Sequence, residues 1–356
     1  MEQKSKIFHI IHALRIGGVE TAALSSLDVL NDWCDFRLLV IDKDPSNFEL
    51  PESIKKNVII FNGNHAVDVA NYYKIIKYII EEKPNIIITS LWRSVFTILV
   101  TKLIFRDFRW ITFFHSTSYK HSWDKVFNKI GFQSSDYVLV DSEKARNFVA
   151  KWIPSSKISI ISFLRQKNTR LNNDNFNDLK MVYIGRLDPM KGIDVGIKLQ
   201  HYLMNYFNFS LSFDVYGPYE KHIENLKVLA HDLQVKDFNY CGLILPQNVL
   251  KTLTYYNLFF QASKYEGMAM SVVEAMQQGL VCIVTPVGEI QNYSKHLISA
   301  IHINDSKNTD FEETARLLRN KTILKSISVN AQNIFTNSPT YSESLLAFLQ
   351  LLQHKA

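Results

Sequence analysis

The chain is poor in the residues that build metal and disulfide scaffolds. Only three cysteines, Cys34, Cys241 and Cys282, occur in 356 residues, far apart and without CxxC or Cys/His ligand spacing. That pattern argues against a structural zinc site and for a reducing compartment. Long apolar runs are also missing. The longest, "SVFTILV" continuing into "TKLIF", is broken at Lys102 and is too short to span a bilayer. The first residues do not have the form of a secretory leader, since Glu2 precedes the lysines and "IFHIIHAL" is interrupted by histidine and ends at Arg15. They read as a first strand, and a cytoplasmic protein is expected. No internal repeat is evident. What remains is an ordinary globular composition, 47% hydrophobic and 21% charged, in a chain long enough for two domains with a core each.

Short β-branched runs alternate with helix-length segments. "KIFHIIHAL", "FRLLVID", "NVIIFN", "NIIITS", "RWITFFHS", "DYVLVDS" and "ISIISF" read as strands, with amphipathic stretches at 68–82 and 121–133 among them. Apolar strands separated by helices predict a parallel sheet covered on both faces. An Asn- and Asp-rich linker follows, and then the rhythm resumes with "KMVYIGRL", "LSFDVYG", "FNYCG", "NLFFQAS", "VCIVTPVG" and "AIHIN". The expectation is α/β: two doubly wound Rossmann-like domains, 1–164 and 180–340, joined by a linker at 165–179. A C-terminal helix, 341–356, is expected to return to the first domain. In such sheets ligands bind beyond the carboxyl ends of the strands, so the residues just after each strand carry the functional reading.

After "NLFFQAS" comes "KYEGMAMSVVEAMQQG", with Glu266 and Glu274 eight positions apart. Glu266-Gly267 occupies the turn, where glycine permits a tight bend. The N–H groups at the helix start, Met268, Ala269, Met270 and Ser271, offer an anion site. A carboxylate before that site suits ligand hydroxyls, and Glu274, inside the helix, suits a ribose. Together they describe a nucleotide sugar. The alternative is a solvated turn and a surface helix residue. "YIGRLDPMKG" adds Gly185 and Arg186 at a strand end and Lys191 at a probable helix start, two cations suited to a diphosphate; two ordinary surface cations are the competing reading.

In the first half, Gly17 and Gly18 follow the first strand, where a backbone without side chains lets polar ligand groups approach. Ile16 and Val19 break the GxGxxG fingerprint, which weakens a dinucleotide-binding reading. His115 ends the "RWITFFHS" strand, and a structural histidine is its alternative. Asp42-x-Asp44 has the metal-binding spacing of A-type glycosyltransferases, but a solvated turn is preferred and no metal is expected at the site. Between residues 74 and 130 ten cations face four acids, equal to the whole chain's excess of +6. Interleaved with Tyr119, Trp123 and Phe127, they suit an anionic membrane surface, or form a solvated basic face. No nucleic-acid-binding motif accompanies the charge.

Taken together, Gly17-Gly18-Val19-Glu20, His115, "GRLDPMKG", "DVYGPYE", "YCGLILPQNVL" and above all "SKYEGMAMSVVEAMQQGLVCIVTPVGEI" resemble glycosyltransferase family 4 over nearly the whole chain. The resemblance implies retaining enzymes of the B-type fold, with two Rossmann-like domains facing a cleft. It implies that Arg186 and Lys191 hold the donor diphosphate and Glu274 the ribose. Glu266 and the following amides would hold the sugar hydroxyls, and His115 would reach the sugar from the other domain. No cofactor and no metal are implied; the donor would be a UDP- or GDP-sugar. The partners would be that nucleotide sugar and a glycan or polyprenyl-diphosphate-linked acceptor of O-antigen, capsule or lipopolysaccharide, met at the inner face of the cytoplasmic membrane. The sequence departs from the pattern at "ISFLRQKN", where an Asn-Gly segment is usual, and at Glu289, where a second glycine is usual. A sugar-nucleotide epimerase and a non-catalytic nucleotide-sugar binder stay open as alternatives.

Overall fold

The computed structural model describes residues 4–14, 18–42, 50–63, 68–116, 119, 121–167, 176–219, 221–304 and 308–353. They form two compact units, Met1–Gln166 with Pro339–Ala356, and Lys167–Ser338.

The first unit is built on β1 (Lys6–Ile11), β2 (Asp35–Asp42), β3 (Val58–Gly63), β4 (Ile86–Ser90), β5 (Arg109–Phe114), β6 (Tyr137–Val140) and β7 (Ile158–Ile160). Their order in the sheet is β3-β2-β1-β4-β5-β6-β7, and every pairing is parallel. The continuous apolar strands follow from that arrangement, because helices close both faces and leave no polar side. Phe8, Ile10, Leu39, Ile87 and Trp110 point to one face, against Ile75 and Ile79 of the helix Val69–Glu82 and Val95 and Ile98 of the helix Trp92–Ile104. Helical spacing puts Tyr72, Ile75 and Ile79 on one stripe, and Asp68 starts that helix by accepting the Asn71 N–H. Each such apolar side chain contributes about 1.5–3 kcal/mol on burial.

The helix Tyr341–Gln353 belongs to this unit. Tyr341 N–H donates to the Leu164 carbonyl (2.7 Å), Ser342 Oγ–H to the Ser25 carbonyl (3.1 Å), and the Tyr341 ring stacks on Phe113 with centroids 6.0 Å apart. Arg109 is tied to the helix end by a hydrogen bond to the Leu352 carbonyl.

The second unit repeats the plan with β8 (Lys180–Ile184), β9 (Ser212–Tyr216), β10 (Phe238–Gly242), β11 (Leu258–Gln261), β12 (Val281–Val284) and β13 (Ile301–His302), ordered β10-β9-β8-β11-β12-β13 and parallel throughout. Its core joins Met181, Phe213, Val215, Leu258, Phe260 and Ile283 to Ile197 and Leu203 of the helix Ile193–Phe207. Phe176 and Leu179, just before β8, are buried in that core.

Both sheets reverse their strand order beside their first strand, between β1 and β4 in one and between β8 and β11 in the other. At that reversal the loops leave in opposite directions and a crevice opens at the carboxyl edge. In the second unit the two strands at the reversal are those followed by "GRLDPMKG" and "SKYEGMAMS".

Candidate functional site

The chain leaving β8 passes Gly185 and Arg186, turns at Asp188-Pro189, and reaches Lys191 just before the helix Ile193–Phe207. Asp188 caps the turn by accepting the Met190 N–H at 2.8 Å. Gly192 has φ +69°, and a Cβ there would lie 2.1 Å from the Ala262 carbonyl oxygen. Only glycine therefore lets this turn rest on the end of β11. The Met190 carbonyl accepts the Lys264 N–H at 2.9 Å, which fixes the two loops together.

That contact brings together residues 75 positions apart. Lys191 Nζ lies 2.5 Å from Glu266 Oε1. The same oxygen accepts from Gln261 Nε2 at 2.6 Å and from Ser263 Oγ at 2.7 Å. Ser271 Oγ in turn donates to Gln261 Oε1 at 3.0 Å, which orients the amide. Glu266 is 7% exposed, so these bonds form where water competes little. With Oε1 bound by three donors, the Glu266 carboxylate is fixed in direction. Its Oε2 makes no hydrogen bond among the described residues.

The helix Met270–Gln277 starts beside this carboxylate. Its first N–H groups have no intrahelical acceptor, as at any helix start. Ala269 precedes it at φ +54°, ψ +64°, a left-handed conformation that a residue with a Cβ adopts at a cost. The Met268 carbonyl accepts from the hydroxyl of the half-buried Tyr293 at 3.1 Å, and the Gly267 carbonyl from the Glu289 N–H at 3.0 Å. Gly288, at φ +59°, lies so close to Glu266 that a Cβ would sit 2.3 Å from its carbonyl oxygen. Glu289, where the family pattern has a second glycine, is buried and accepts from Asn292 Nδ2. Glu274 is 6% exposed and so is not a surface residue, in a helix whose residues 272–277 are all buried. Arg186 is exposed and makes no ion pair among the described residues. A strong cation with no ion pair among the described residues, at the carboxyl edge of a sheet, suits an anionic ligand.

Gln261, Ser263 and Tyr293 were not singled out in the sequence. Gln261 carried a signal, a polar side chain ending the strand "LFFQ", which is buried throughout.

In the first unit His115 follows β5, half-buried, with its ring 4.2 Å from Phe113 and 5.4 Å from Phe163. Its Nε2 lies 3.0 Å from Ser90 Oγ. Burial lowers its pKa from the usual 6.5 to about 3, so the ring is neutral. Gly18 opens the helix Gly18–Ser25, and Gly17 lies outside the described residues. Asp42 is paired with Arg93 Nη1 at 2.5 Å, and Asp44 lies outside the described residues. Arg93 is 6% exposed and also bonds the Tyr72 hydroxyl, so one cation of the basic window is an interior ion pair.

Two parallel doubly wound units in one chain match the B-type architecture of glycosyltransferases. Two family profiles match consecutive parts of the chain, Glycosyltransferase Family 4 over residues 16–162 and Glycosyl transferases group 1 over residues 165–333. The chain belongs to the family 4/group 1 glycosyltransferases. An uncharacterized glycosyltransferase of Methanocaldococcus jannaschii is 21% identical over 242 residues, 65% of this chain and 62% of the relative's length. Sucrose-phosphate synthase from Thermosynechococcus elongatus superposes with a TM-score of 0.79 at 15% identity, covering 99% of each chain. Anabaena HepE, solved with UDP-glucose, gives 0.76 at 12% identity over 98% of this chain and 99% of that one.

Ala269 provides a direct check of the strained turn. Ala269→Gly should stabilise the protein by about 1 kcal/mol, since glycine adopts the left-handed conformation without the Cβ penalty. Urea unfolding curves would show it as a raised midpoint, and an unchanged or lowered midpoint would show that the turn is not strained.

Proposed function

We propose that the protein is a retaining hexosyltransferase that moves a sugar from a UDP- or GDP-sugar to a glycan or polyprenyl-diphosphate-linked acceptor in surface polysaccharide synthesis. The observation that carries the reading is the Glu266 carboxylate, fixed through one oxygen by Lys191, Gln261 and Ser263 with the other oxygen open. A directed carboxylate beside cations and a helix start is what a sugar joined to a diphosphate requires. The UDP-glucose held by the Anabaena relative supports the same class of donor.

In this reading Arg186 and Lys191 meet the diphosphate, and Gly185, Gly267 and the amides of Met268, Ala269, Met270 and Ser271 line it. Glu274 takes the ribose, Glu266 the sugar hydroxyls, and Gly17, Gly18 and His115 contact substrate from the first unit. The bond from the anomeric carbon to the diphosphate oxygen breaks, and the acceptor oxygen bonds to the same face of that carbon. The departing diphosphate accepts the acceptor's proton. Arg186, Lys191 and the helix start stabilise the charge that grows on it, with no metal or cofactor in the scheme.

The test is to supply UDP- and GDP-sugars with a polyprenyl-diphosphate-linked sugar in EDTA and to follow the anomeric proton of the product. Transfer with retention is expected, and Arg186→Ala should lower turnover by about 100-fold with the fold intact. An inverted product, or full turnover in folded Arg186→Ala, would contradict the reading. An altered nucleotide sugar formed without acceptor would identify an epimerase, and tight binding without turnover a non-catalytic binder.

The lipid-linked acceptor is favoured by the surface of the helices Val69–Glu82 and Ser122–Ser134. Val69 (74% exposed), Tyr73 (67%) and Trp123 (64%) stand open to solvent beside the exposed Lys74, Lys77 and Lys125. Apolar and aromatic side chains among cations suit the inner face of the cytoplasmic membrane. Among the described residues no helix is long and apolar enough to cross a membrane. The protein should sediment with vesicles containing anionic lipid, and Trp123→Ser with Lys125→Glu should weaken that binding; equal sedimentation with neutral vesicles, or none at low salt, would remove the membrane from the proposal.

A further inference from the structure

The strand-order reversal of the first unit, between β1 and β4, holds residues with no part in the transfer scheme. After β4 the chain passes Leu91 at φ +72°, ψ +160°, a conformation occupied almost only by glycine. The strain is braced on both sides. The Ser94 hydroxyl stands 2.7 Å from the carbonyl oxygens of Ser90 and of Leu91, and the Arg93 N–H donates at 2.9 Å to Nε2 of His12, just past β1. A strained turn at the carboxyl edge, where ligands bind, fixes the residue that follows it. That residue is Trp92, the first of the helix Trp92–Ile104.

Trp92 is half-buried within a group of rings. Its indole stacks on Phe127 with centroids 5.7 Å apart and planes 23° from parallel, and it meets His12 and His121 edge to face at 6.1 Å and 5.7 Å. The fully buried Trp110 donates its Nε1–H to Thr89 Oγ1 at 2.9 Å, as an interior indole should, whereas Trp92 Nε1–H has no acceptor among the described residues. His121 is exposed. Its Nδ1 accepts the Asp124 N–H at 3.1 Å, so the hydrogen of the neutral ring is on Nε2. Two N–H donors therefore stand on neighbouring aromatic side chains. The cation next in sequence does not join them, because Arg93 is turned inward onto Asp42 and the Tyr72 hydroxyl. Neutral donors on aromatic rings suit a neutral, hydroxylated ring, whose C–H face packs on the aromatic surface while its oxygens accept the N–H groups. A diphosphate would call for cations instead.

We infer that Trp92 and His121 form a binding site for a sugar ring on the first unit, the terminal sugar of the acceptor. Leu91 is its positioning residue, since the strained turn sets where the indole stands. The acceptor role rests on the proposed transferase reading; the binding of a sugar at this place does not.

The test is a ¹H–¹⁵N spectrum of the full chain labelled in tryptophan, with the Trp92 Nε1–H signal assigned through Trp92→Phe. The probes are the methyl glycosides of glucose, galactose, mannose and N-acetylglucosamine. One of them should move the Trp92 signal in a saturable way and leave that of Trp110 in place, and its binding should weaken about tenfold in His121→Ala, the equivalent of one lost hydrogen bond. UDP alone should leave Trp92 unmoved. In turnover, Trp92→Leu should raise the acceptor KM about tenfold by the same reasoning and leave the KM of the nucleotide sugar unchanged. Leu91→Gly should raise the urea midpoint and still raise the acceptor KM, a combination that a merely structural turn does not give. A Trp92 signal unmoved by all four glycosides, one moved by UDP alone, or an unchanged acceptor KM in folded Trp92→Leu would overturn the inference. Wild type that binds a glycoside at Trp92 yet transfers from no nucleotide sugar would keep the sugar site and remove its acceptor role together with the transferase reading.

Discussion

Three donors on one carboxylate oxygen organise the second unit. Lys191, Gln261 and Ser263 all point at Glu266 Oε1, the first from one loop and the other two from the end of β11 and the loop that follows it. Lys191 arrives through the turn after β8, Gln261 is the last residue of β11, and Ser263 starts the loop that carries Glu266 itself. The convergence depends on Gly192, whose missing Cβ lets the β8 turn lie against Ala262, and on Gly288, which lets the β12 loop close over Glu266. A buried carboxylate with fewer partners would be expensive to keep. Here the saturation of one oxygen leaves the other as a directed acceptor.

The topology explains why these residues meet at all. A parallel sheet built from strand–helix units reverses its order once, and both halves of this chain place the reversal next to their first strand. In the second half the loops on either side of it are those with Arg186 and Lys191 and with Glu266. In the first half His9, Ser90 and His115 lie on β1, at the end of β4 and just past β5, so their hydrogen-bonded chain crosses the same kind of position.

Much of this was legible from the residues. The thirteen apolar runs correspond to the thirteen strands of the described residues, and the central strands such as β4, β11 and β12 are apolar because both their faces are buried, whereas the edge strand β10 has no buried residue; the stretches 68–82 and 121–133 correspond to the helices Val69–Glu82 and Ser122–Ser134. The parallel two-sheet class followed from that rhythm. Details that depend on long-range contact were not legible. Nothing local to Arg93 tells that it is an interior partner of Asp42, since Asp42 reads as the start of a solvated Asp42-x-Asp44 turn and Arg93 as one cation of the basic window. Nothing near Ala269 announces a left-handed residue, because glycine is the usual sign of one. Gln261 and Ser90 are polar residues at strand ends, and their meaning appears only when another segment brings a partner within hydrogen-bond reach.

The most direct test of the central interaction is a double-mutant cycle on Lys191→Met and Glu266→Gln, read as binding of UDP-glucose and other nucleotide sugars by calorimetry. If the pair acts as one unit that orients the sugar site, the double variant should lose less than the sum of the singles, with a coupling above about 1 kcal/mol. Losses that add to within about 0.5 kcal/mol would show that the two residues act independently and would contradict the account.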